Sequence, residues 1–327
     1  MLPSPTNFLH PLAGARILAA RLFTLAVAFL LLPAASHAGK INPSPDVKEG
    51  LRRMYSGDTS GAIEIAHRVQ REQPQHPIGY LLEANALWWK IYCAVCDVKW
   101  NLIDAWDRAK LREDDAYFAL TDRAIALAEA EIKTRETAEM HVYAGMAYGL
   151  KARLYGLRGE RLNVAKSGVR GRTHFARALE LDPEMGDAYT GMGLYNYFAD
   201  VLSPFAKFLR FFMGIPGGNK NEGIRQLEIA LKTADLSAAE ARFYLARNLR
   251  NYDQQYQRAV ELLEPLVAEY PQNPVFALLL ADMNVKLHRS EKAEASFRAA
   301  QKMAIADQAC AARVAEVTRL GLAALAR

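Results

Sequence analysis

A helix-pair pattern recurs along this chain at a period too short for any one pair to enclose a core. Gly61-Ala62-Ile63-Glu64-Ile65-Ala66 leads to Pro74, twelve residues after Ala62, and Tyr256-Gln257-Arg258-Ala259 leads through Leu263 and Leu266 to Pro271, again twelve after the alanine. Phe175-Ala176-Arg177-Ala178-Leu179-Glu180 runs to Pro183 in the same manner, and Ala293, Phe297 and Ala300 keep the rhythm. A companion pattern stands in Tyr143-Ala144-Gly145-Met146-Ala147-Tyr148 and Ala188-Tyr189-Thr190-Gly191-Met192-Gly193. The contact position of the companion helices falls at Gly50, Ala84, Gly145, Gly193, Arg247 and Ala281, at intervals of 34, 61, 48, 54 and 34. The end units are therefore regular and three central ones carry insertions, while Arg247 breaks the small-residue rule. Apolar and small residues at i, i+3, i+4 and i+7 form a stripe that one pair cannot bury, so neighbours must stack. The pattern predicts an all-α helical-hairpin solenoid with units at 43–76, 77–135, 136–185, 186–236, 237–273 and 274–305, closed by a capping helix over 306–327.

These units resemble the tetratricopeptide (TPR) repeat, whose period is 34, over about 45–305. The resemblance implies a right-handed superhelix with the first helix of each pair lining a concave groove. It also implies a non-catalytic scaffold that binds a peptide or protein partner in that groove. By register the groove contacts are Asn85, Trp88, Met146, Leu194, Tyr197, Tyr244, Asn248, Asn251 and Asp282. Asn85 and Asn248 take the position where peptide-binding TPRs hold an asparagine against peptide backbone, although two of them do not make a full carboxylate clamp. A looser resemblance over 187–276 rests on Gly193-Leu194-Tyr195-Asn196-Tyr197-Phe198, Val201-Leu202-Ser203-Pro204, Gly214-Ile215-Pro216-Gly217-Gly218-Asn219-Lys220 and Tyr270-Pro271-Gln272-Asn273-Pro274. That region is similar to a group of poorly characterised bacterial TPR proteins and, more distantly, to a eukaryotic mitochondrial outer-membrane TPR family.

The first 38 residues obey a different grammar. Arg16 and Arg21 precede the apolar run Leu22–Leu32, Pro33 breaks it, and Ser36-His37-Ala38 offers small residues for cleavage before Gly39. This is the order of a secretory signal peptide, and eleven apolar residues span only about half a bilayer as helix. The expectation is export to the periplasm or beyond, with no transmembrane span in the mature chain. The whole chain has 41 Lys+Arg against 36 Asp+Glu. That balance gives no argument for nucleic acid, which demands a concentrated basic surface. With 51% hydrophobic and 24% charged residues it is neither disordered nor a disulfide-stapled miniprotein.

Several local features compete for a role. Phe198–Gly218 crowds Phe205, Phe208, Phe211 and Phe212 into a central insertion with helical spacing. It reads as an extra packed helix, a pocket wall or a membrane-surface contact. Cys93-Ala94-Val95-Cys96 admits a local Cys93–Cys96 disulfide or a pair of buried thiols. It sits near a helix end, where the dipole opposes thiolate chemistry, and Cys310 is far off in sequence. Residues 151–177 hold eight Lys and Arg against Glu160 alone, which suits an acidic partner, anionic lipid or plain solvation. Gly214–Lys220 lacks the ending of a phosphate-binding P-loop. No HExxH or GxSxG occurs, and His67, His76, His141, His174 and His288 show no paired spacing. No catalytic residue, cofactor or metal site is therefore expected, and Glu113-Asp114-Asp115 reads as an insertion loop. The functional expectation is an exported TPR scaffold. The alternative is a periplasmic carrier for an apolar small molecule or lipid, with Phe205, Phe208 and Phe212 lining a pocket.

Overall fold

Short polar side chains set many of the helix starts. Ser44 accepts the Val47 amide, Asp58 that of Gly61, Thr137 that of Met140 and Asn219 that of Glu222. Asn273 accepts two amides, from Val275 and Phe276, and Asp307 accepts that of Cys310. Each satisfies a donor that the first helical turn would otherwise leave unpaired. The computed structural model describes residues 40–95, 109–202, 207, 211 and 214–326. Among them are thirteen α-helices and no strand.

The helices pair in chain order. The first hairpin is α1 (Pro45–Tyr55) with α2 (Thr59–Glu72), and the second is α3 (Ile78–Val95) with α4 (Asp114–Thr134). The third is α5 (Ala138–Leu157) with α6 (Arg161–Leu181), and the fourth α7 (Gly186–Val201) with α8 (Lys220–Thr233). Then come α9 (Ala238–Asn248) with α10 (Tyr256–Glu269), α11 (Pro274–Lys286) with α12 (Ser290–Gln301), and the last helix α13 (Gln308–Leu325). Each helix packs on its sequence neighbours, and first helices also meet across hairpins, α1 on α3, α3 on α5, and α5 on α7. This is an all-α repeat solenoid.

Small residues set the closest approaches. A Cβ on Gly223 of α8 would lie 2.7 Å from both the Gly193 carbonyl oxygen and the Tyr197 nitrogen of α7, so these helices touch backbone to backbone. Gly145 leaves room for the Phe175 ring. Arg247, which broke the small-residue rule, is 9% exposed and turned inward, while its neighbour Ala246 is fully buried. The helix then loosens into a π turn, Leu249–Asp253, that ends at Gln254 with φ of 54°.

The array curls until its ends meet. α13 packs on α3, where Cys93 and Cys310 form a disulfide with a Cα–Cα distance of 5.0 Å. At the other junction the Asn273 amide donates to the Tyr55 carbonyl at 2.8 Å, and the Tyr55 and Tyr270 rings sit 5.7 Å apart. The pairing expected between Cys93 and Cys96 is thus corrected: Cys93 bonds to Cys310, 217 positions away, because closure brings the terminal helix onto α3. Cys96 lies outside the described residues.

Candidate functional site

Closure changes what the concave side contains. The Trp89 ring of α3 meets Phe243 of α9 at 5.0 Å and Phe276 of α11 at 5.5 Å. Tyr92 and Phe243 stand 5.9 Å apart, and Phe243 and Phe276 5.6 Å. Helices from the second, fifth and sixth hairpins therefore share one aromatic centre across the hollow that stacking alone would leave open. Beside it, the Trp88 indole N–H donates to the Tyr244 hydroxyl at 3.1 Å, and the Arg153 guanidinium lies 4.8 Å over the Tyr244 ring. Arg153 also pairs with the buried Glu240. One turn on, Arg250 donates to Asp282 at 2.7 Å, with both side chains at most 2% exposed. Burial raises the Asp282 carboxyl above its usual range, opposed by Arg250. A charge removed from water requires such a partner.

Most of the groove residues expected from register are withdrawn from solvent, and of them Trp88 and Tyr244 flank this centre. Asn85, Trp88, Tyr197, Tyr244, Asn248 and Asp282 are all buried, at 6% exposure or less. Met146, Leu194 and Asn251 are half-buried. Asn248 is fully enclosed, and neither end of its amide finds a hydrogen-bond partner among the described residues; the same holds for the Asn85 amide oxygen. Tyr197 is held by its hydroxyl, which donates to the Asn248 carbonyl at 3.0 Å and to Asp253 at 2.6 Å. Asp253 is in turn paired with Lys220. Phe205, Phe208 and Phe212 lie outside the described residues, whereas Phe211 is exposed.

The basic run of 151–177 is largely committed within the fold. Lys151 reaches Asp122 at 2.5 Å and Arg158 reaches Asp114 at 2.6 Å, the latter pair deeply buried. Arg177 binds both oxygens of Glu136 at 2.9 Å, and Arg172 lies over the Tyr195 ring. Asp114 is accordingly no loop residue without a partner; it opens α4 and anchors the end of α5.

The hairpin α5–α6 holds a group that linear spacing does not suggest. His141 and His174 are 33 positions apart, yet their Nδ1 atoms face each other at 2.9 Å. His141 Nε2 faces Glu136 at 3.0 Å, and His174 Nε2 faces Glu129 at 3.7 Å. The Tyr148 ring stacks on His174, and its hydroxyl donates to Glu129 at 2.8 Å. His141 is buried at 6% exposure, whereas His174 borders a surface hollow of about 350 Å³ lined by Glu129, Tyr148, Val169, Arg170 and Thr173. Burial and the neighbouring His141 together push the His174 imidazole below its usual pKa. The Glu136 carboxylate is held down to about 2 by the Arg177 hydrogen bonds and by His141. The only signal in the sequence is that both histidines fall inside one helix pair.

Comparison with known families now bears on these helices. Residues 252–309, spanning the end of the fifth hairpin and all of the sixth, match the tetratricopeptide repeat family model. That segment is a tetratricopeptide repeat, and the thirteen-helix array fits a protein of this repeat type. No curated protein matches the chain. Tetratricopeptide repeats generally serve as protein-interaction scaffolds, and Asn85 and Asn248, expected from register to contact a peptide, are buried at 4% and 0% exposure.

Proposed function

We propose that this TPR protein is an exported, non-catalytic scaffold that recognises a protein partner on its outward-facing helices rather than in its concave groove. The observation that carries the reading is the burial of Asn85, Trp88, Tyr244 and Asn248 under contacts between hairpins two, five and six. A peptide lying in that groove would have to displace the aromatic centre, at a cost of several buried aromatic side chains. Export is supported by the charged, apolar and small-residue segments of 1–38 and by the Cys93–Cys310 bond, since disulfides persist in oxidising compartments. No described helix is long and apolar enough to cross a membrane.

Two experiments test the reading. N-terminal sequencing of protein from the cell envelope should find Gly39 first; an intact Met1 there would refute export by cleavage. Partners captured by cross-linking in that compartment should map to exposed positions such as Arg161, Leu162 and Lys166 on α6, or to other outer helices. Asn85→Ala and Asn248→Ala should shift thermal stability and leave capture unchanged. Capture lost at unchanged stability would restore the groove as the binding site.

A further inference from the structure

We infer that the outward face of α6 over 161–173 is a docking surface for an acidic amphipathic helix of a partner protein. The inference rests on the reading that recognition is outward, and it names the helix used and the chemistry of the partner. It starts from spacing. Ser167, Gly171, Phe175 and Ala178 are the buried residues of α6, turned inward against α5 and α7. Leu162, Ala165 and Val169, at i, i+3 and i+7, fall on the opposite side as a second apolar stripe. Leu162 is 57% exposed, and none of the three joins the packed core. A helix that packs through one face has no structural use for a second apolar one.

Cations border that stripe on both sides. Arg161 and Arg172, three turns apart, lie along one edge, and Lys166 and Arg170, one turn apart, along the other. Arg172 lies over the Tyr195 ring, and Arg170 donates to the Tyr148 hydroxyl at 3.3 Å. Arg161 and Lys166 are exposed and form no ion pair among the described residues. The adjoining acids are engaged: Glu160 accepts from Asn163 at 2.6 Å and Glu129 from Tyr148 at 2.8 Å. Arg161 also stands in the first turn of α6, which holds no acid. The helix dipole disfavours a cation there, so helix stability does not account for its charge.

Charge complementarity names the occupant. A helix with carboxylates on either side of an apolar stripe can lie along α6 with the stripes in contact and each carboxylate near a cation. Leu162 to Thr173 covers three turns, about 16 Å, at the helical rise. Beside the stripe, a Cβ on Gly168 would meet nothing within 4 Å, which leaves room for close approach. At its far end, Val169, Arg170 and Thr173 border the hollow of about 350 Å³, which can receive one larger side chain. An anionic bilayer fits less well. Interfacial helices insert Trp, Phe and Leu, whereas this stripe has one leucine and no aromatic ring.

The test uses the untagged full chain and a stapled helical peptide with leucines at i, i+3 and i+7 flanked by glutamates. Fluorescence anisotropy at about 50 mM salt should show saturable binding with a Kd on the order of 10–100 μM. The same peptide with lysines for glutamates should bind at least tenfold more weakly, as should the acidic peptide at about 500 mM salt. Arg161→Glu with Lys166→Glu should weaken the acidic peptide at least tenfold, and Leu162→Ser about tenfold. These positions are exposed, so melting temperatures should stay within about 2 °C of the native chain. No saturable binding of the acidic peptide, equal binding of both peptides, or affinity unchanged in the folded variants would overturn the assignment. Binding to vesicles of equal phosphatidylglycerol and phosphatidylcholine, with the peptide ignored, would replace the helix by a membrane. Partners cross-linked to another outer helix, with the peptide ignored, would sink this assignment and leave outward recognition standing. Capture lost in Asn248→Ala at unchanged stability would overturn both.

Discussion

If the Cys93–Cys310 bond closes the solenoid, removing it should cost more than any single core truncation. The bond spans 217 positions, and the chain-entropy relation for a loop of that size gives about 5 kcal/mol at 25 °C. The clean perturbation is made in a Cys96→Ser background, which prevents Cys93 from taking its near neighbour as a substitute partner. By the same relation that substitute loop would recover only about 2 kcal/mol. Cys310→Ser in this background should lower the urea midpoint by about 1–2 M, and reductant added to Cys96→Ser alone should do the same. Val314 and Val317, both buried, keep α13 on the core, so far-ultraviolet circular dichroism should remain fully helical before the transition. Two results would refute the reasoning: an unchanged midpoint at unchanged slope, or a non-reducing digest that recovers Cys93 joined to Cys96.

Three further outcomes follow from other contacts. Gly223→Ala places a methyl 2.7 Å from α7 backbone atoms and should destabilise by about 1–3 kcal/mol in a thermal melt, whereas a neutral result would mean that α7 and α8 are further apart. Asp187, 2% exposed, accepts from the amides of Asp235, Leu236 and Ser237 and from the Ser237 hydroxyl at 3.0, 3.1, 2.9 and 2.6 Å. Asp187→Asn sets a new donor among these donors and should cost about 2–3 kcal/mol in denaturant unfolding. His76 accepts the Ile78 amide through Nδ1 at 3.2 Å, and burial lowers its pKa. The unfolded chain then takes up a proton near pH 6.5 that the folded chain refuses. Stability should fall as pH drops below about 6.5, and His76→Gln should flatten that slope in unfolding measured between about pH 7 and 5.

The fold class was legible because its determinants are local. Gly50, Gly145 and Gly193 stand where helices touch, and the prolines after each second helix mark where one pair yields to the next. Contacts across the array were not legible. Nothing in Cys93-Ala94-Val95-Cys96 announces Cys310, because the pairing depends on curvature accumulated over six hairpins. Arg247 looked like a flaw in register, and its meaning emerges only once α9 is seen to face the interior. The His141–His174 pair escaped for a related reason. Histidines at i and i+4 reveal themselves on one helix, but a pair formed across a hairpin depends on the loop and on the angle at which α6 lies on α5.

Closure also limits what register can say about recognition. In an open TPR superhelix, a residue on the first helix of each pair faces solvent until a ligand arrives, so an asparagine there is a candidate contact. Here the same positions carry Trp88, Trp89, Tyr92, Phe243, Tyr244 and Phe276, rings large enough to reach one another from different hairpins. Once they meet, the concave side is core, and its polar groups must find partners within the chain. Trp88 does so with Tyr244, and Arg250 with Asp282, whereas the Asn248 amide finds none among the described residues. The asparagine that most resembles a peptide contact is therefore the one least served by the closed state. If the solenoid opens, Asn248 is the group with most to gain, so α9 around it is where opening should be sought first. Hydrogen exchange slowed across α9 to the global unfolding limit would show that it never opens below full unfolding.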